Sequence, residues 1–407
     1  MNCRHCEQKI NDLFLDLGFA PLSNSYLTEA DLGAPETTYP LKLRVCRNCW
    51  LVQTEDYSKA DEIFSDDYAY FSSTSKSWLK HAKQYCEMTI ERFKLDGGSH
   101  IIEVASNDGY LLRNFVTAGI PCLGIEPTLS TAEASRKLGI PVEKKFFSLE
   151  LASQLVAEGR AADLIIGNNV YAHVPDINDF TAGLAQALKP EGVITLEFPH
   201  LMRLVEQCQF DTVYHEHFSY LSATVVERIF TKAGLRIFDI EELTTHGGSL
   251  RIYGCHNNSK HVQTQSARTI IELEKSAGLR DIEYYQGFQS RVNRIKDDFV
   301  RFLIDTKMNG KHVAAYGAAA KGNTLINYAG IRSDLIEYVC DAAPSKQGKF
   351  LPGSHIPIVS PEHLLAYPPD FLIVLPWNIK SEIIIQLRGL IGNRTKFLVA
   401  VPELEII

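Results

Sequence analysis

The chain has 407 residues, 45% of them hydrophobic and 22% charged, and a formal net charge of −8. That length exceeds what one hydrophobic core usually covers and implies two or three units. The acidic balance argues against broad nucleic-acid binding, which needs basic surface to neutralise phosphates, and no apolar run approaches the roughly 20 residues of a membrane span. Met1-Asn2-Cys3-Arg4-His5-Cys6 lacks an apolar signal core, so a cytoplasmic protein is expected. Four of the nine cysteines form two close pairs. The other five, Cys86, Cys122, Cys208, Cys255 and Cys340, are single, which is not a disulfide framework.

Residues 1–62 form the first section. Cys3-x-x-Cys6 and Cys46-x-x-Cys49 each offer two thiolates from one tight turn, and two such turns complete a tetrahedral Zn(II) site. A redox dithiol needs only one pair. Four cysteine ligands close the coordination sphere, so the metal is expected to be structural. Between the pairs, the turn-rich Phe19-Ala20-Pro21-Leu22-Ser23-Asn24 has the reach to meet a neighbouring unit.

Residues 63–260 alternate strand and helix signals. Apolar runs at 101–105, 122–125, 163–167 and 192–198 are separated by amphipathic stretches at 129–138 and 177–188. That rhythm predicts a parallel sheet covered by helices on both faces. A further strand is expected at 249–253, after Gly247-Gly248. Residues 261–407 begin with a proline-free, charged segment, 264–307, expected as one or more helices. Strand signals resume at 312–316, 336–340, 370–375 and 397–401, giving a second, smaller α/β unit.

Ligands of such sheets sit beyond the carboxyl ends of the strands. The first core strand runs into Glu103-Val104-Ala105-Ser106-Asn107-Asp108-Gly109. It keeps the acid and last glycine of a Glu/Asp-x-Gly-x-Gly-x-Gly loop but places Ala105 and Asn107 at the other two glycine positions. Glu126 ends the second strand, where it is placed to accept hydrogen bonds from ribose hydroxyls. NAD and S-adenosylmethionine would both suit this geometry, although the Gly-x-Gly-x-x-Gly spacing of dinucleotide sites is absent. Asn168 and Asn169 follow the third strand, placed for the amino-acid end of a cofactor, with His173 beyond them toward a substrate.

The densest chemistry is Asp211-Thr212-Val213-Tyr214-His215-Glu216-His217-Phe218-Ser219-Tyr220. Its histidines, glutamate and tyrosines suit acid–base work. A His-x-His chelate would need further ligands, and none stands at a fixed spacing.

Several ordered motifs then resemble one family, the zinc-binding sugar C-methyltransferases that methylate C3 of nucleotide-linked 4-keto-deoxysugars. They are the two cysteine pairs, Pro21-Leu-Ser-Asn24, the 103–109 loop, Asn168-Asn-Val-Tyr-Ala-His173, Tyr214-His-Glu-His-Phe-Ser-Tyr-Leu221, Thr245-His-Gly-Gly-Ser-Leu-Arg251 and Tyr316-Gly-Ala-Ala-Ala-Lys-Gly-Asn-Thr324. The resemblance covers essentially the whole chain. It implies a Rossmann-like methyltransferase domain at 63–260, flanked by a zinc-binding domain at 1–62 and a second Rossmann-like α/β domain at 261–407. It implies S-adenosylmethionine held by Glu103, Ala105, Asn107, Gly109, Glu126, Asn168 and Asn169. It also implies structural zinc on Cys3, Cys6, Cys46 and Cys49. His217 would be the general base with Glu216 as its orienting or electrostatic partner, and Tyr214, His173 and Tyr68 would lie near the sugar. His215 is expected to be structural.

In the C-terminal unit, Tyr316 to Thr324 superficially resembles a phosphate loop, but Asn323 stands where a Walker loop has lysine. Lys321 and the helix amides could hold a diphosphate, and Asp341 at the next strand end could read a base or ribose. His246 and Arg251 are placed for either substrate contact or a tight turn. Tyr316, Lys321, Asn323, Asp341, His246 and Arg251 therefore stand as candidates for the nucleotide sugar. The expected assembly is a monomer or small homo-oligomer. The alternatives are a nucleic-acid methyltransferase or zinc-mediated RNA/DNA-binding module, and a NAD-dependent sugar oxidoreductase.

Overall fold

The computed structural model describes residues 1–55, 57, 72–74, 76–392 and 394–407; Tyr68 lies outside the described residues. Among the described residues the chain builds three sheets. The first contains β1 (Asp12–Ala20), β2 (Tyr39–Val45) and β3 (Val52–Thr54), all antiparallel neighbours.

The second is made from β4 (Ile101–Val104), β5 (Cys122–Ile125), β6 (Val142–Glu143), β7 (Ala162–Asn168) and β8 (Leu188–Pro199). The next strand, β9 (Ser219–Tyr220), leaves that sheet and becomes the fourth strand of the first, pairing antiparallel with β3. β10 (Leu235–Leu243) and β11 (Ser249–His256) complete the second sheet in the order β10-β11-β8-β7-β4-β5-β6, with β11 antiparallel to both its neighbours.

β4 and β5 are buried at every position, as parallel strands covered on both faces must be. The helix Ile177–Ala187 starts where Asp176 accepts from the Asn178 and Asp179 amides, and Ala223–Lys232 starts where Ser222 accepts from Val225. β4 ends one residue earlier than its apolar run suggests, because Ala105 is left-handed at φ +57°. The sequence reading names no strand at β10, whose Arg236, Asp239, Glu241 and Glu242 interrupt the apolar signal.

The segment 264–307 forms two helices, Gln265–Ser276 and Phe288–Met308. They separate around its two glycines, Gly278 (φ +89°) and Gly287 (φ +76°). The third sheet holds β12 (Val313–Tyr316), β13 (Val339–Cys340), β14 (Ile358–Val359), β15 (Phe371–Val374), β16 (Lys396–Val399) and β17 (Glu405–Ile406). Its order is β14-β13-β12-β15-β16-β17, parallel except for β17.

The N-terminal sheet is wedged between the other two units. On one side Phe14 stacks on Phe288 at 4.7 Å and meets Tyr285 edge-on, and Leu15 and Leu43 join the core of the C-terminal sheet. At its cysteine end, Cys3, Cys49 and Leu51 join Ile177, Val225 and Ile229 in the core of the second sheet. Among the described residues no helix is long and apolar enough to cross a membrane.

Candidate active site

β4 has β5 on one side and β7 on the other, and this reversal opens a crevice at the carboxyl ends of the strands. The loop after β4 lies there. Ala105, Asn107 and Gly109 have φ of +57°, +50° and +78°, so all three glycine positions of the generic loop are left-handed although two carry side chains. Gly109 is required for space as well, since a Cβ would lie 2.5 Å from Ile140 Cδ1. Glu126 accepts from the Asn107 amide at 2.9 Å and the Thr128 amide at 3.0 Å, so the expected ribose acceptor also holds the loop. A carboxylate has about four lone-pair sites, which leaves capacity for hydroxyls.

Glu103 is buried, and burial, with the charges of Glu126 and Asp108, pushes its carboxyl well above the usual range. A cationic ligand group would relieve that. Among the described residues, Glu103 Oε2, Asp108 Oδ1 and both amide atoms of buried Asn168 have no hydrogen-bond partner. Asn169 follows at φ +54°, its amide bonded to Glu197 O. Buried polar groups normally find partners, so this set fits a ligand with amine, carboxylate and hydroxyl groups, as S-adenosylmethionine has. Asn168→Ala is expected to raise the Kd for S-adenosylmethionine about tenfold, about 1.4 kcal/mol, with the far-ultraviolet circular dichroism unchanged. Isothermal titration calorimetry measures it.

The second cluster lies on the chain between the turn Phe210–Thr212 and β9. His217 Nδ1 lies 3.0 Å from Thr212 O, and a carbonyl only accepts, so Nδ1 carries the proton. Burial, then the nearby charge of His173, holds the ring's pKa well below its ordinary 6.5. It is neutral at pH 7, with the Nε2 lone pair as its basic site. Tyr214 lies against it at 4.1 Å between ring centroids, His173 at 4.6 Å and Tyr220 at 5.8 Å. His173 is fixed the same way, its Nδ1–H donating to Glu216 O at 2.9 Å, and burial lowers its pKa to about 4.

One expectation changes here. The acceptor that orients His217 is Thr212 O. The Glu216 carboxylate instead accepts from Asn24 Nδ2 at 2.5 Å, on a turn closed by the His217 amide donating to Tyr214 O at 3.0 Å. Asn24 is the reach foreseen for the Phe19–Asn24 stretch. His215 bonds Pro40 O through Nε2 at 3.2 Å and ties this segment to β2, in keeping with its expected structural place.

The C-terminal candidates separate. Lys321, in the first turn of the helix Ala320–Tyr328, holds its amine 4.7 Å over the Trp377 ring and donates to Asn378 Oδ1 at 3.2 Å. Its charge acts on Asp211, His217 and His246, which places it beside the histidine cluster. Asn323 is buried and donates to Ser23 O at 2.5 Å, so it joins the helix to the N-terminal unit. Tyr316 is buried at the end of β12. Asp341, directly after β13, accepts from the Ala343 amide at 2.8 Å and pairs with Lys346 at 3.5 Å. His246 lies in the hairpin turn Thr245–Gly247 between β10 and β11, left-handed at φ +55°, with Trp78 edge-on at 5.6 Å.

Arg251 is engaged by two carboxylates. It donates to Glu197 from Nε (2.7 Å) and Nη2 (2.5 Å), and to Glu241 from Nη1 (2.6 Å). Glu197 also meets His81 Nε2 at 3.1 Å. Arg251 therefore ties β11 to β8 and to β10. The sequence reading passed over Thr212, Trp377 and the Glu197–His81 pair. Thr212 acts through its backbone, and the others meet residues more than 100 positions away, so no local spacing marks them.

At the far end of the N-terminal sheet, the sulfur atoms of Cys3, Cys6, Cys46 and Cys49 all lie within 4.8 Å of one another, with Cys3–Cys49 and Cys6–Cys46 at 3.5 Å. A tetrahedron with Zn–S bonds of about 2.3 Å has edges of roughly 3.8 Å, so the four fit zinc. Each pair is followed by a left-handed residue, Glu7 (φ +63°) and Trp50 (φ +67°), whose amide returns to the first cysteine's carbonyl. The site is joined to the histidine cluster by short links. Gln53 on β3 donates to Cys3 Sγ at 3.3 Å, and Thr54 Oγ1 donates to His217 O at 3.3 Å. Arg4 donates to Pro175 O at 2.8 Å, two residues past His173.

Comparison with known proteins agrees with this architecture. A zinc binding domain model matches residues 3–64, a methyltransferase domain model 78–240 and a C-methyltransferase C-terminal domain model 244–402. The chain is 32% identical to C-methyltransferase NovU of Streptomyces niveus, over 100% of this chain and 96% of that protein. Magnesium protoporphyrin IX methyltransferase (ChlM) of Synechocystis PCC 6803, solved with bound SAM, aligns over 50% of this chain and 100% of its own at 13% identity and a TM-score of 0.36. The PH0226 protein of Pyrococcus horikoshii OT3 aligns over 50% and 100% at 12% identity and a TM-score of 0.37. The fold assignment rests on the sheet order and the family models, not on these two likenesses. By its full-length relative and its three domain matches, the chain belongs to the zinc-binding C-methyltransferase family and is an S-adenosylmethionine-dependent C-methyltransferase.

Proposed function

We propose that the enzyme methylates C3 of a nucleotide-linked 4-keto-deoxysugar through an enolate. The supporting observation is the buried, neutral His217, whose Nδ1–H is held by Thr212 O so that Nε2 is the basic atom. A carbon acid needs such a base, and a ketone next to the carbon makes its proton removable.

His217 Nε2 takes the C3 proton. The C–H electron pair forms the C3–C4 double bond, and charge moves to the C4 oxygen. Tyr214, against the His217 ring, is the group assigned to that oxygen, and His173, whose one N–H is held by Glu216 O, is assigned to lie beside the sugar. Glu216, held by Asn24, is assigned as the electrostatic partner of the base, as the resemblance implies. S-Adenosylmethionine, when bound by Glu103, Glu126 and Asn168, supplies an electrophilic methyl group whose C–S electron pair leaves with the thioether. Lys321 and Asp341, at the carboxyl ends of the C-terminal sheet, are assigned to the nucleotide diphosphate and its ribose or base. Tyr68, carried by the resemblance, is assigned to cover the sugar.

The test is incubation with S-adenosylmethionine and a panel of 4-keto-6-deoxy sugar nucleotides in deuterated water, read by product mass. One added methyl group in the product is expected, with solvent deuterium at C3 of the recovered substrate, because the methylated carbon of a 3-hydroxy sugar keeps no hydrogen. Binding of S-adenosylmethionine with no product from any panel member would move the acceptor to another class.

A further inference from the structure

The turn that holds the candidate base is gripped on both sides by the C-terminal unit. Thr212, whose carbonyl accepts the His217 Nδ1–H, lies between Asp211 and Val213. Trp377 Nε1 donates to Asp211 Oδ2 at 2.6 Å. Thr324 Oγ1 donates to Val213 O at 2.8 Å. Trp377 belongs to the turn Trp377–Ile379 after β15, and Thr324 to the helix Ala320–Tyr328 after β12. β12 and β15 are adjacent and parallel, and β13 lies on the other side of β12. Both donors therefore stand at the strand ends where an α/β sheet of this order takes its ligands.

The grip on Asp211 is a strong one. The residue is 1% exposed, and Oδ1 has no hydrogen-bond partner among the described residues. Burial pushes the carboxyl up to about 6, opposed first by the charge of Lys321 and then by the Trp377 N–H. Lys321 also braces the donor, with its amine over the Trp377 ring and bonded to Asn378. Contacts serving only as interface cement have no reason to converge. These two fall on the residues either side of the one carbonyl that sets the His217 tautomer.

We propose that Trp377 and Thr324 are positioning residues for proton abstraction: through them the C-terminal unit holds the Thr212 carbonyl so that His217 presents Nε2 to the carbon acid. This rests on the reading of His217 as the base.

The first test needs no substrate. Full-length, zinc-loaded protein with ¹⁵N-labelled histidine shows the His217 tautomer by nuclear magnetic resonance, its signals identified by their loss in His217→Asn. The wild type is expected as the Nδ1–H tautomer alone. Trp377→Phe, which keeps the aromatic volume, and Thr324→Val, which keeps the shape, are expected to mix the two tautomers. Thr324→Ser, which keeps the hydroxyl, is expected to restore the single form.

In the deuterium assay the first two variants should lose about tenfold or more in kcat and in C3 exchange, with both KM values within about twofold. A single Nδ1–H tautomer in both Trp377→Phe and Thr324→Val overturns the inference. So does equal loss in Thr324→Val and Thr324→Ser, because the hydroxyl would then not matter. His217→Asn reports on the underlying reading: if it is inactive while Trp377→Phe and Thr324→Val turn over normally, only the positioning role falls. If it keeps exchange and turnover, both fall.

Discussion

His217→Asn is expected to lower kcat for methyl transfer by about 10²- to 10⁴-fold, the usual contribution of a positioned general base, while the Kd for S-adenosylmethionine stays the same. Asparagine approximates the Nδ1 side of the ring and can still donate to Thr212 O, so the turn keeps its partner. It offers no basic nitrogen at the Nε2 position. Single-turnover rates and calorimetric titration separate the two effects, and near-normal turnover in a folded, cofactor-binding variant would sink the assignment.

The same burial fixes the pH behaviour. His217 is held well below 6.5, and His173 and His246 are both lowered to about 4, in each case first by burial. A depressed folded-state pKa means that the unfolded chain binds protons the native one does not. The stability from these groups is therefore present above about pH 6.5 and is lost as pH falls toward about 4. The base, in contrast, stays unprotonated across most of that range. Activity per folded molecule is expected to show no step from His217 near its ordinary 6.5, while the melting temperature falls below about pH 6.5. A steep loss of kcat centred near 6.5, with the melting temperature unchanged, would contradict this.

Removing zinc should have the other large effect. Structural zinc in small cysteine sites contributes an apparent 10–16 kcal/mol, as much as the whole stability of an ordinary domain. Here the four sulfurs close the loops that carry β1 to β3, and β3 is hydrogen-bonded to the segment running from His217 into β9. Cys46→Ser or exhaustive chelation is therefore expected to lower the melting temperature by about 10 °C or more. Methyl transfer should disappear in proportion to the zinc lost, although no cysteine is assigned a chemical step. Zinc content by atomic absorption, set against kcat, reads the relation directly. A zinc-free protein with full activity would show that the His217 segment is held without the metal.

The parts of this enzyme that depend on local spacing were legible in the sequence. Cys3-x-x-Cys6 and Cys46-x-x-Cys49 specify a metal site because two ligands in one turn have only one useful geometry. The alternation of buried strands and amphipathic helices specifies the parallel sheet, since a strand covered on both faces must be apolar throughout. The acid at 103 and the acid at 126 stand at the carboxyl ends of β4 and β5, so their place beside the crevice follows from chain order.

Tertiary structure decided what depends on groups distant in the chain. Glu216 and His217 are neighbours in sequence, yet on the turn that carries them Glu216 meets Asn24 and His217 meets a backbone carbonyl. Arg251, a candidate for substrate, is instead paired with Glu197, 54 residues away. Trp377 reaches Asp211 across 166 residues. Local pattern records which face of an element is apolar, because every residue on that face must be so. It does not record which single polar group across an interface will satisfy a buried donor or acceptor, because that is set only when the three sheets pack.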